Sequence, residues 1–253
     1  MKIKQIRKRD GRVVDFDAAN ITEAIFKAIR ATSGNDRKLA TRLSEKVAET
    51  LENEAKAGQI PAVEEVQDIV ERILIEEGRA KIAKHYILYR QKRKELREEK
   101  RLVLEKDEID EVDKKFDTNA LRVLKSRYLR KDEKGRLIET PKQLFTRVAT
   151  HAALPDLIYD KRVYSKRGGE PQHAAESFDN AANENKILIG KYKLNRYHLE
   201  AVKRMYDRSS KEGNMKIPWS QFLDMIRSNK MDEHEKSITE FYDIMVNSQF
   251  MPN

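Results

Sequence analysis

The 253-residue chain contains no cysteine. A protein without thiols has no disulfide framework, no thiolate metal site and no cysteine nucleophile, and it can form no thiyl radical of its own. The sequence also has no signal-like N-terminus and no apolar run of about 18 residues, the length that a membrane span needs. We therefore expect a soluble, cytoplasmic protein with no membrane partner.

Charge of one sign is not in large excess. The chain has 52 lysine and arginine residues against 43 aspartate and glutamate residues, which gives a net charge of +9. Because charged residues make up 38% of the sequence, this surplus is small. It allows an anionic partner without predicting specific binding to nucleic acid. The length is sufficient for one large domain or two of ordinary size.

The first residues predict a β-hairpin. Asp10-Gly11 lies between the apolar Ile3 and Ile6 on one side and Val13-Val14 on the other. This pattern is typical of a two-residue hairpin turn.

Three cations crowd the tip of this hairpin, at Lys8, Arg9 and Arg12. Asp17 follows as a predicted N-cap for a helix that starts near Ala18, so the basic tip would face a helix start. Guanidinium and ammonium groups form charge-assisted hydrogen bonds with phosphate oxygens, and this arrangement can hold a polyanion. A solvated surface turn without a ligand also explains the same residues.

Four amphipathic helices follow, each with apolar residues at three- and four-residue steps. The first is predicted to end near Ser33-Gly34, the second at Gly58 and the third at Gly78, and the fourth runs to a basic end at Arg90. The residues predicted to face the core are Ile21, Ile25, Ala28 and Ile29; Leu39, Leu43, Val47 and Leu51; Val66, Ile69, Val70, Ile73 and Leu74; and Ile82, Ala83, Tyr86, Ile87 and Tyr89.

Three separated stretches together resemble the ATP-cone, a regulatory nucleotide-binding domain of ribonucleotide reductases and of a zinc-containing repressor of their genes. The stretches are Lys8-Arg9-Asp10-Gly11 with Phe16-Asp17 and Ile21, then residues 63–71, then residues 83–90. The resemblance implies that residues 1–93 form an ATP-cone regulatory domain, with a β-hairpin and four helices, that binds ATP or dATP as an allosteric effector.

The same resemblance implies which residues bind the nucleotide. Lys8 and Arg9 should hold phosphates, while Ile6 and the first helix face the adenine and the ribose. Asn20 departs from the family, in which many members have lysine or arginine, and Arg90 and Arg93 are our substitutes for that contact. A solvated basic helix end is the alternative for these two arginines. The full implied site comprises Ile6, Lys8, Arg9, Asp10, Gly11, Asp17, Asn20, Ile21, Arg90 and Arg93.

Residues 94–115 are dense in charge, with opposite signs three and four residues apart. Such spacing supports an exposed helix, so we expect the fourth helix to continue and then loosen into a charged helical linker. The domain boundary is predicted to lie there.

A second family-like stretch follows the linker. Residues 119–135 predict a helix and a Lys134-Gly135 turn, after which Thr140 caps a new helix with Pro141 in its first turn. The apolar face of this helix consists of Leu144, Phe145 and Val148. These residues resemble the opening segment of the catalytic domain of ribonucleotide reductases, especially the adenosylcobalamin-dependent type. The predicted fold class is therefore mainly α, an ATP-cone followed by a helical N-terminal segment of a reductase catalytic domain over residues 116–253.

The remaining sequence predicts more helices and one insertion. Residues 161–195 are loose and polar, and we expect a surface insertion there. Three helices should follow, with apolar faces at Tyr197, Leu199, Val202 and Met205; at Trp219, Phe222, Met225 and Ile226; and at Ile238, Phe241, Tyr242, Ile244 and Met245. His151, His173 and His198 lie far apart without ligand spacing, so no metal site is expected.

The resemblance implies that the complete enzyme replaces the ribose 2′-hydroxyl with hydrogen by radical chemistry. This chain would supply allosteric control and no catalytic residue, and adenosylcobalamin would bind the complete enzyme rather than this chain alone. The expected partner is the remainder of the reductase chain, docking on four residues: Leu144, Phe145, Phe241 and Met245. The complete enzyme is expected to be an oligomer whose size or domain arrangement changes with dATP.

The chain ends at residues 250–253, which in the family lead into a substrate loop. A split gene, an intein junction or a truncation would each account for that end. Two alternative functions remain open. One is a stand-alone ATP/dATP-sensing regulator that binds nucleic acid with a salt-dependent affinity, although the family's repressors have a four-cysteine zinc ribbon that is missing here. The other is a cone that has lost its nucleotide, as Asn20 suggests.

Overall fold

The computed structural model describes residues 3–55, 59–170, 173 and 187–248. The chain divides into two compact units, the first formed by residues 1–102 with 106–108 and the second by residues 103–105 with 109–253. Helices dominate both units, and among the described residues each unit has one small antiparallel hairpin. The prediction of a mainly α fold is confirmed. Of the helices that the structure describes, none is long and apolar enough to cross a bilayer.

The first unit contains the predicted hairpin and four helices. Strand β1 pairs antiparallel with β2, with Ile6 opposite Val14. The bounds are β1 Gln5–Arg7, β2 Val13–Asp15, α1 Ala18–Ala31, α2 Arg37–Glu54, α3 Val63–Glu76 and α4 Ala80–Leu104. The predicted end of the second helix at Gly58 lies outside the described residues.

The hairpin turn is longer than predicted. The Lys8 N–H donates to the Arg12 carbonyl (2.8 Å), and the Gly11 N–H donates back to the Lys8 carbonyl (3.0 Å), so the loop has three residues. Of the Asp-Gly pair, only Gly11 has a positive φ, at 77°. A two-residue type I′ turn needs positive φ at both positions, whereas a three-residue loop with a glycine bulge needs it at one.

The core of the first unit consists of the predicted apolar stripes with three exceptions, of which Leu39 is half-buried and packs against the core. Ile87 and Tyr89 on α4 are 37% and 55% exposed, although we predicted them to be buried. The inward face of α4 continues from Tyr86 to Arg90 at the four-residue helical step, and neither Ile87 nor Tyr89 lies on that line. The buried residues are Ile6, Ile21, Ile25, Ala28, Ile29, Ala40, Leu43, Val47, Leu51, Val66, Ile69, Val70, Ile73, Leu74, Ile82, Ala83 and Tyr86.

The second unit packs helix α7 against α8 and α10. Its described elements are α5 Glu111–Lys115, α6 Thr118–Arg127, α7 Pro141–Ile158, β3 Leu188–Ile189, β4 Tyr192–Lys193, α8 Arg196–Lys211, α9 Trp219–Arg227, a 3₁₀ turn at Asp232–His234 and α10 Glu235–Val246. Helix α4 continues to Leu104, and residues 105–110 are not helical, while the bounds of the linker stay a prediction.

The start of α7 confirms the predicted cap. Gln143 N–H donates to the Thr140 hydroxyl (3.3 Å), and the Gln143 side chain accepts from the Thr140 N–H (2.8 Å). Pro141 occupies the first helical position, where its missing N–H costs nothing. This reciprocal pair satisfies two backbone donors at the helix end.

The prediction of a polar surface insertion over residues 161–195 is wrong at both of its ends. Val163, Ile187 and Ile189 are buried in the core of the second unit, together with Tyr192 and Leu194. The short β3–β4 hairpin presents Ile187, Ile189, Tyr192 and Leu194 to the core, a pattern that the surrounding polar sequence obscured. Residues 171–172 and 174–186 lie outside the described part of the chain.

Three of the four residues predicted to dock on a partner are buried within the second unit. Leu144, Phe145 and Met245 are at most 5% exposed, and Phe145 stacks on Phe116 with ring centroids 5.2 Å apart. Only Phe241 keeps an exposed surface, at 36%. The unit completes this part of its core by itself, so the docking prediction is wrong for those three side chains.

His198 on α8 is a buried titratable group in this core. It is 3% exposed, and its Nδ1 accepts a hydrogen bond from the Asn195 N–H (3.2 Å). Burial lowers the pKa of His198 to about 4, from an ordinary value of 6.5. The neutral imidazole is therefore the form that suits the folded unit.

We predict that the second unit loses stability as the pH falls from about 6.5 to about 4, because only the unfolded chain protonates His198 in that range. The shift corresponds to at most about 3 kcal/mol of unfolding free energy. His198→Gln keeps an acceptor for the Asn195 N–H but does not titrate, so its unfolding free energy should fall less steeply over this range. Urea unfolding at several pH values measures the unfolding free energy of each variant.

His151→Gln is the matched control, since it removes an exposed histidine from the same unit. It should retain most of the wild-type slope. Equal slopes for wild type and His198→Gln would contradict the assignment.

Candidate functional site

The hairpin of the first unit is tied to the chain segment that precedes α3. The Arg7 N–H donates to the Pro61 carbonyl (2.9 Å), and Arg7 pairs in parallel with Ala62. Strand β1 thus continues alongside the start of α3. Because Arg9 follows two residues later, this pairing brings the hairpin tip to the first turns of that helix.

Arg9 binds two side chains of α3. Its Nε donates to Glu64 Oε1 (2.5 Å), and its Nη2 donates to Gln67 Oε1 (2.9 Å). Glu64 and Gln67 are three residues apart and share one face of the helix. The helix start at the tip is therefore that of α3. That the tip also faces the helix start at Asp17 stays a prediction.

The rest of the tip is organised by its own turn. Asp10 accepts from the backbone N–H of Arg12 (3.2 Å) and from its Nε (2.8 Å). Gly11 supplies the positive φ of the loop. Lys8 projects an exposed side chain from the same loop. Asp10 and Gly11 thus shape the loop that presents Lys8 and Arg9.

The predicted residues around α1 have structural partners. Asp17 caps the helix by accepting from the Ala19 N–H (2.9 Å), as predicted, and its other oxygen accepts from the Asn20 side-chain amide (3.0 Å). Ile6 and Ile21 are each only 7% exposed and belong to the core. These hydrogen bonds hold Asn20 in a fixed orientation beside the cap.

Arg90 lies between two carboxylates of α3. Its Nη1 donates to Asp68 (2.6 Å) and to Glu71 (2.7 Å), and 27% of its side chain is exposed. Tyr86, one turn earlier on α4, is buried, and burial raises its pKa to about 12. Arg90 thus continues the inward face of α4 as a charge rather than as an apolar residue.

Arg93 and Arg97 extend this face of α4. They follow Arg90 at steps of three and seven residues, which place all three on one side of a helix. Burial lowers the pKa of the Arg97 guanidinium, and the positive charges of Arg9 and Arg93 lower it further. The hairpin tip and α4 therefore concentrate guanidinium groups at one place.

Sequence reasoning missed three residues of this site: Glu64, Gln67 and Arg97. The acidic and amide residues at steps of three and four along α3, and the arginines at 90, 93 and 97, were the available signals. Spacing alone showed which residues share a helix face, but it did not show which faces meet.

A separate cavity of about 460 Å³ lies beside α3, bounded by α2 and the segment before α3. Its lining includes Glu54, Glu65 and Asp68, with Arg72 as the one cation. Three carboxylates disfavour phosphate, so this cavity does not suit a nucleotide's triphosphate.

The second unit contains a compact ionic cluster. Ligand atoms of Asp160, Glu233 and His234 lie within 4.8 Å of one another. Arg162 donates to Asp160 (2.7 Å) and also to Glu233, and His234 Nε2 lies 2.9 Å from Asp160. The single positive charge of the Arg162 guanidinium is shared between the two carboxylates and compensates half of their charge. Arg162 also holds the pKa of the Asp160 carboxyl well below its usual range.

Two of the three histidines that lie far apart in the sequence are close together in the structure. The rings of His151 and His198 lie 6.1 Å apart, because α7 packs on α8. His173 instead lies 3.0 Å from the Met215 carbonyl through its Nε2. Within the described ranges, the cluster at Asp160 is the one group with metal-ligand spacing.

Comparison with protein families matches both halves of the chain. Residues 4–95 match the ATP cone domain, and residues 114–253 match the all-alpha domain of ribonucleotide reductase. The second match alone covers more than half of the chain. The chain belongs to the ribonucleotide reductase family. The sequence resemblance is thereby confirmed for both regions, and the alternative of a stand-alone regulator finds no support.

Individual reductases align with the chain in the same way. A vitamin B12-dependent ribonucleoside-diphosphate reductase of Thermoplasma acidophilum is 36% identical over 256 residues, covering 99% of this chain and 30% of that protein. A protein of the same name from Mycobacterium tuberculosis is 36% identical over 62% of this chain and 21% of its own length. A ribonucleoside-diphosphate reductase subunit alpha of Chlamydia trachomatis is 34% identical over 36% of this chain and 10% of that protein. The chain thus spans less than a third of each of these reductases.

We predict that Lys8→Ala or Arg9→Ala weakens triphosphate binding about tenfold or more, since each removes a charge-assisted hydrogen bond. Isothermal titration calorimetry with ATP measures the loss. Lys4→Ala, which removes an exposed cation from the same hairpin away from the tip, is the control and should bind like wild type. If both tip variants keep wild-type affinity, the cone does not bind nucleotide through this hairpin.

Proposed function

We propose that the first unit binds ATP and dATP as allosteric effectors, and that the second unit begins the catalytic domain of a B12-dependent ribonucleoside-diphosphate reductase. One observation carries the proposal. The hairpin tip, the first turns of α3 and the arginine face of α4 meet within a region that matches the ATP cone domain.

The phosphates would bind at the hairpin tip. Lys8 and Arg9 supply charge-assisted donors there, and Arg93 on α4 adds a third cation. The N-cap residue of α3 is Ala62, whose side chain makes no capping hydrogen bond. Glu64 and Glu65 lie in the first turn of α3, and Glu65 accepts from the Ala62 N–H (3.3 Å), so carboxylates already lie at the positive end of the helix dipole.

The base and ribose would lie beside α1. Asp17 and Asn20 form a hydrogen-bonded pair at the start of this helix, and their remaining donors and acceptors suit a sugar hydroxyl. ATP and dATP differ only in the 2′-hydroxyl, so discrimination requires a contact of this kind. Calorimetry with the two nucleotides tests this assignment.

The radical chemistry would lie in the remainder of the reductase. The family reaction requires a thiyl radical and a thiol pair, and this chain contains no cysteine. Adenosylcobalamin does not fit the cavities of this chain that we describe. The cavity on α8 is an open groove of about 390 Å³, within the range of sites for drug-sized ligands and too small for a corrinoid.

The partner would cover an exposed apolar patch of the second unit. Ile138 and Tyr197 are each 61% exposed, and the Arg130 guanidinium carbon lies 5.1 Å from the centre of the Tyr197 ring. The Ile138 N–H donates to the Arg130 carbonyl (3.0 Å), so Ile138 and Tyr197 each lie next to Arg130. Exposed apolar patches of this kind mark interaction sites, and the remainder of the reductase is the partner we propose.

We predict that the purified chain produces no deoxyribonucleotide with adenosylcobalamin and a dithiol, at any ATP concentration. Activity should appear when a second polypeptide that supplies the cysteines is added, and Tyr197→Ser should weaken that reconstitution. Phe145 is not substituted in this test, because it is a core residue. Turnover by this chain alone, with contamination excluded by mass spectrometry, would overturn the proposed division of roles.

A further inference from the structure

Helices α3 and α4 present matched charged faces to one another. After the connection at residues 77–79, α4 turns back past α3, and Arg90 pairs with Asp68 and Glu71. This double contact sets the register between the two helices.

The same register predicts a second ion pair further along. Glu64 precedes Glu71 by seven residues, and Arg97 follows Arg90 by seven, so each lies about 10 Å beyond the Arg90 contact at 1.5 Å per residue. Glu64 should therefore meet Arg97 across the helix pair. Glu64 instead accepts from Arg9 of the hairpin tip.

The result is an excess of positive charge where the Arg97 end of α4 passes the Glu64 end of α3. Within the described part of the chain, the structure shows no carboxylate hydrogen-bonded to Arg93 or Arg97, while Glu64 and Gln67 both accept from Arg9. The pKa of the Arg97 guanidinium is lowered by burial and by the neighbouring Arg9 and Arg93, and Glu64 and Glu98 oppose that shift. The Glu64 carboxylate thus interacts with Arg9 directly and with Arg97 through its charge.

We propose that Glu64 occupies a phosphate subsite formed by Arg9, Arg93 and Arg97, and that a nucleoside triphosphate binds by displacing this carboxylate. The inference rests on the proposed function of the first unit. It adds Arg97, which lies beyond the residues 4–95 that match the ATP cone domain, to the binding site.

The exchange is physically favourable for a polyphosphate. A terminal phosphate carries more negative charge than one carboxylate, so it neutralises three cations better. Arg9 and Glu64 are 39% and 43% exposed, and an ion pair of that exposure contributes little to stability. Glu64 can therefore return to water without loss of the fold, while Gln67 still orients Arg9. A monophosphate or a nucleoside gains much less from the exchange.

Two pairs of variants of the full chain test the subsite, each with a matched control. Glu64→Gln removes the competing charge, and Glu65→Gln removes an equal charge from the next residue while an amide oxygen can still accept from the Ala62 N–H. Arg97→Gln removes a proposed phosphate ligand, and Lys94→Gln removes an exposed cation from the same helix. Circular dichroism melting confirms that each variant folds.

Calorimetry at 0.15 M salt would measure binding of ATP, AMP and inorganic tripolyphosphate. We expect Glu64→Gln to tighten ATP and tripolyphosphate binding by about three- to tenfold, and to change AMP binding by less than about twofold. Arg97→Gln should weaken ATP binding by about tenfold. The two controls should change ATP binding by less than about threefold, as expected for exposed charges.

Each outcome decides a separate point. Equal effects of Glu64→Gln and Glu65→Gln overturn the displacement, and equal effects of Arg97→Gln and Lys94→Gln overturn the subsite. If wild type binds tripolyphosphate but not ATP, the proposed effector function fails while the subsite stands. If neither wild type nor Glu64→Gln binds any of the three ligands, both proposals fail.

Discussion

The hydrogen bond between the Arg7 N–H and the Pro61 carbonyl determines where the hairpin tip lies. It extends β1 alongside the segment that begins α3, so that Arg9 reaches Glu64 and Gln67. Without this pairing the tip would be a basic surface loop with no fixed neighbour. The charged face of α3 and the arginines of α4 form a site only because this contact brings a third element to them.

The same helices build the core and the site with different faces. On α3, Val66 and Ile69 are buried, and each such apolar side chain contributes about 1.5 to 3 kcal/mol by its burial. The adjacent face carries Glu64 and Asp68, whose ion pairs are partly exposed and contribute little to stability. The apolar face therefore fixes the geometry, while the charges remain free to exchange partners when an anion binds.

Local patterns predicted the helices and their caps, because helical periodicity and the Asp17 and Thr140 caps involve residues close in sequence. The turn length was missed because Asp-Gly suits both the two-residue turn and the three-residue loop with a glycine bulge. The face of α4 was misjudged because hydropathy favoured Ile87, whereas the helical step led to Arg90. Contacts between Arg9 and α3 span 55 residues or more, and no local pattern contains that information.

The most direct test of this account is a crystal structure of the chain with bound ATP. We predict that the Arg9 guanidinium will lie about 2.7 to 2.9 Å from a phosphate oxygen. The Glu64 carboxylate should be released from it, and Arg97 should contact the same phosphate group. ATP bound elsewhere, with the Arg9–Glu64 pair still intact, would contradict the account.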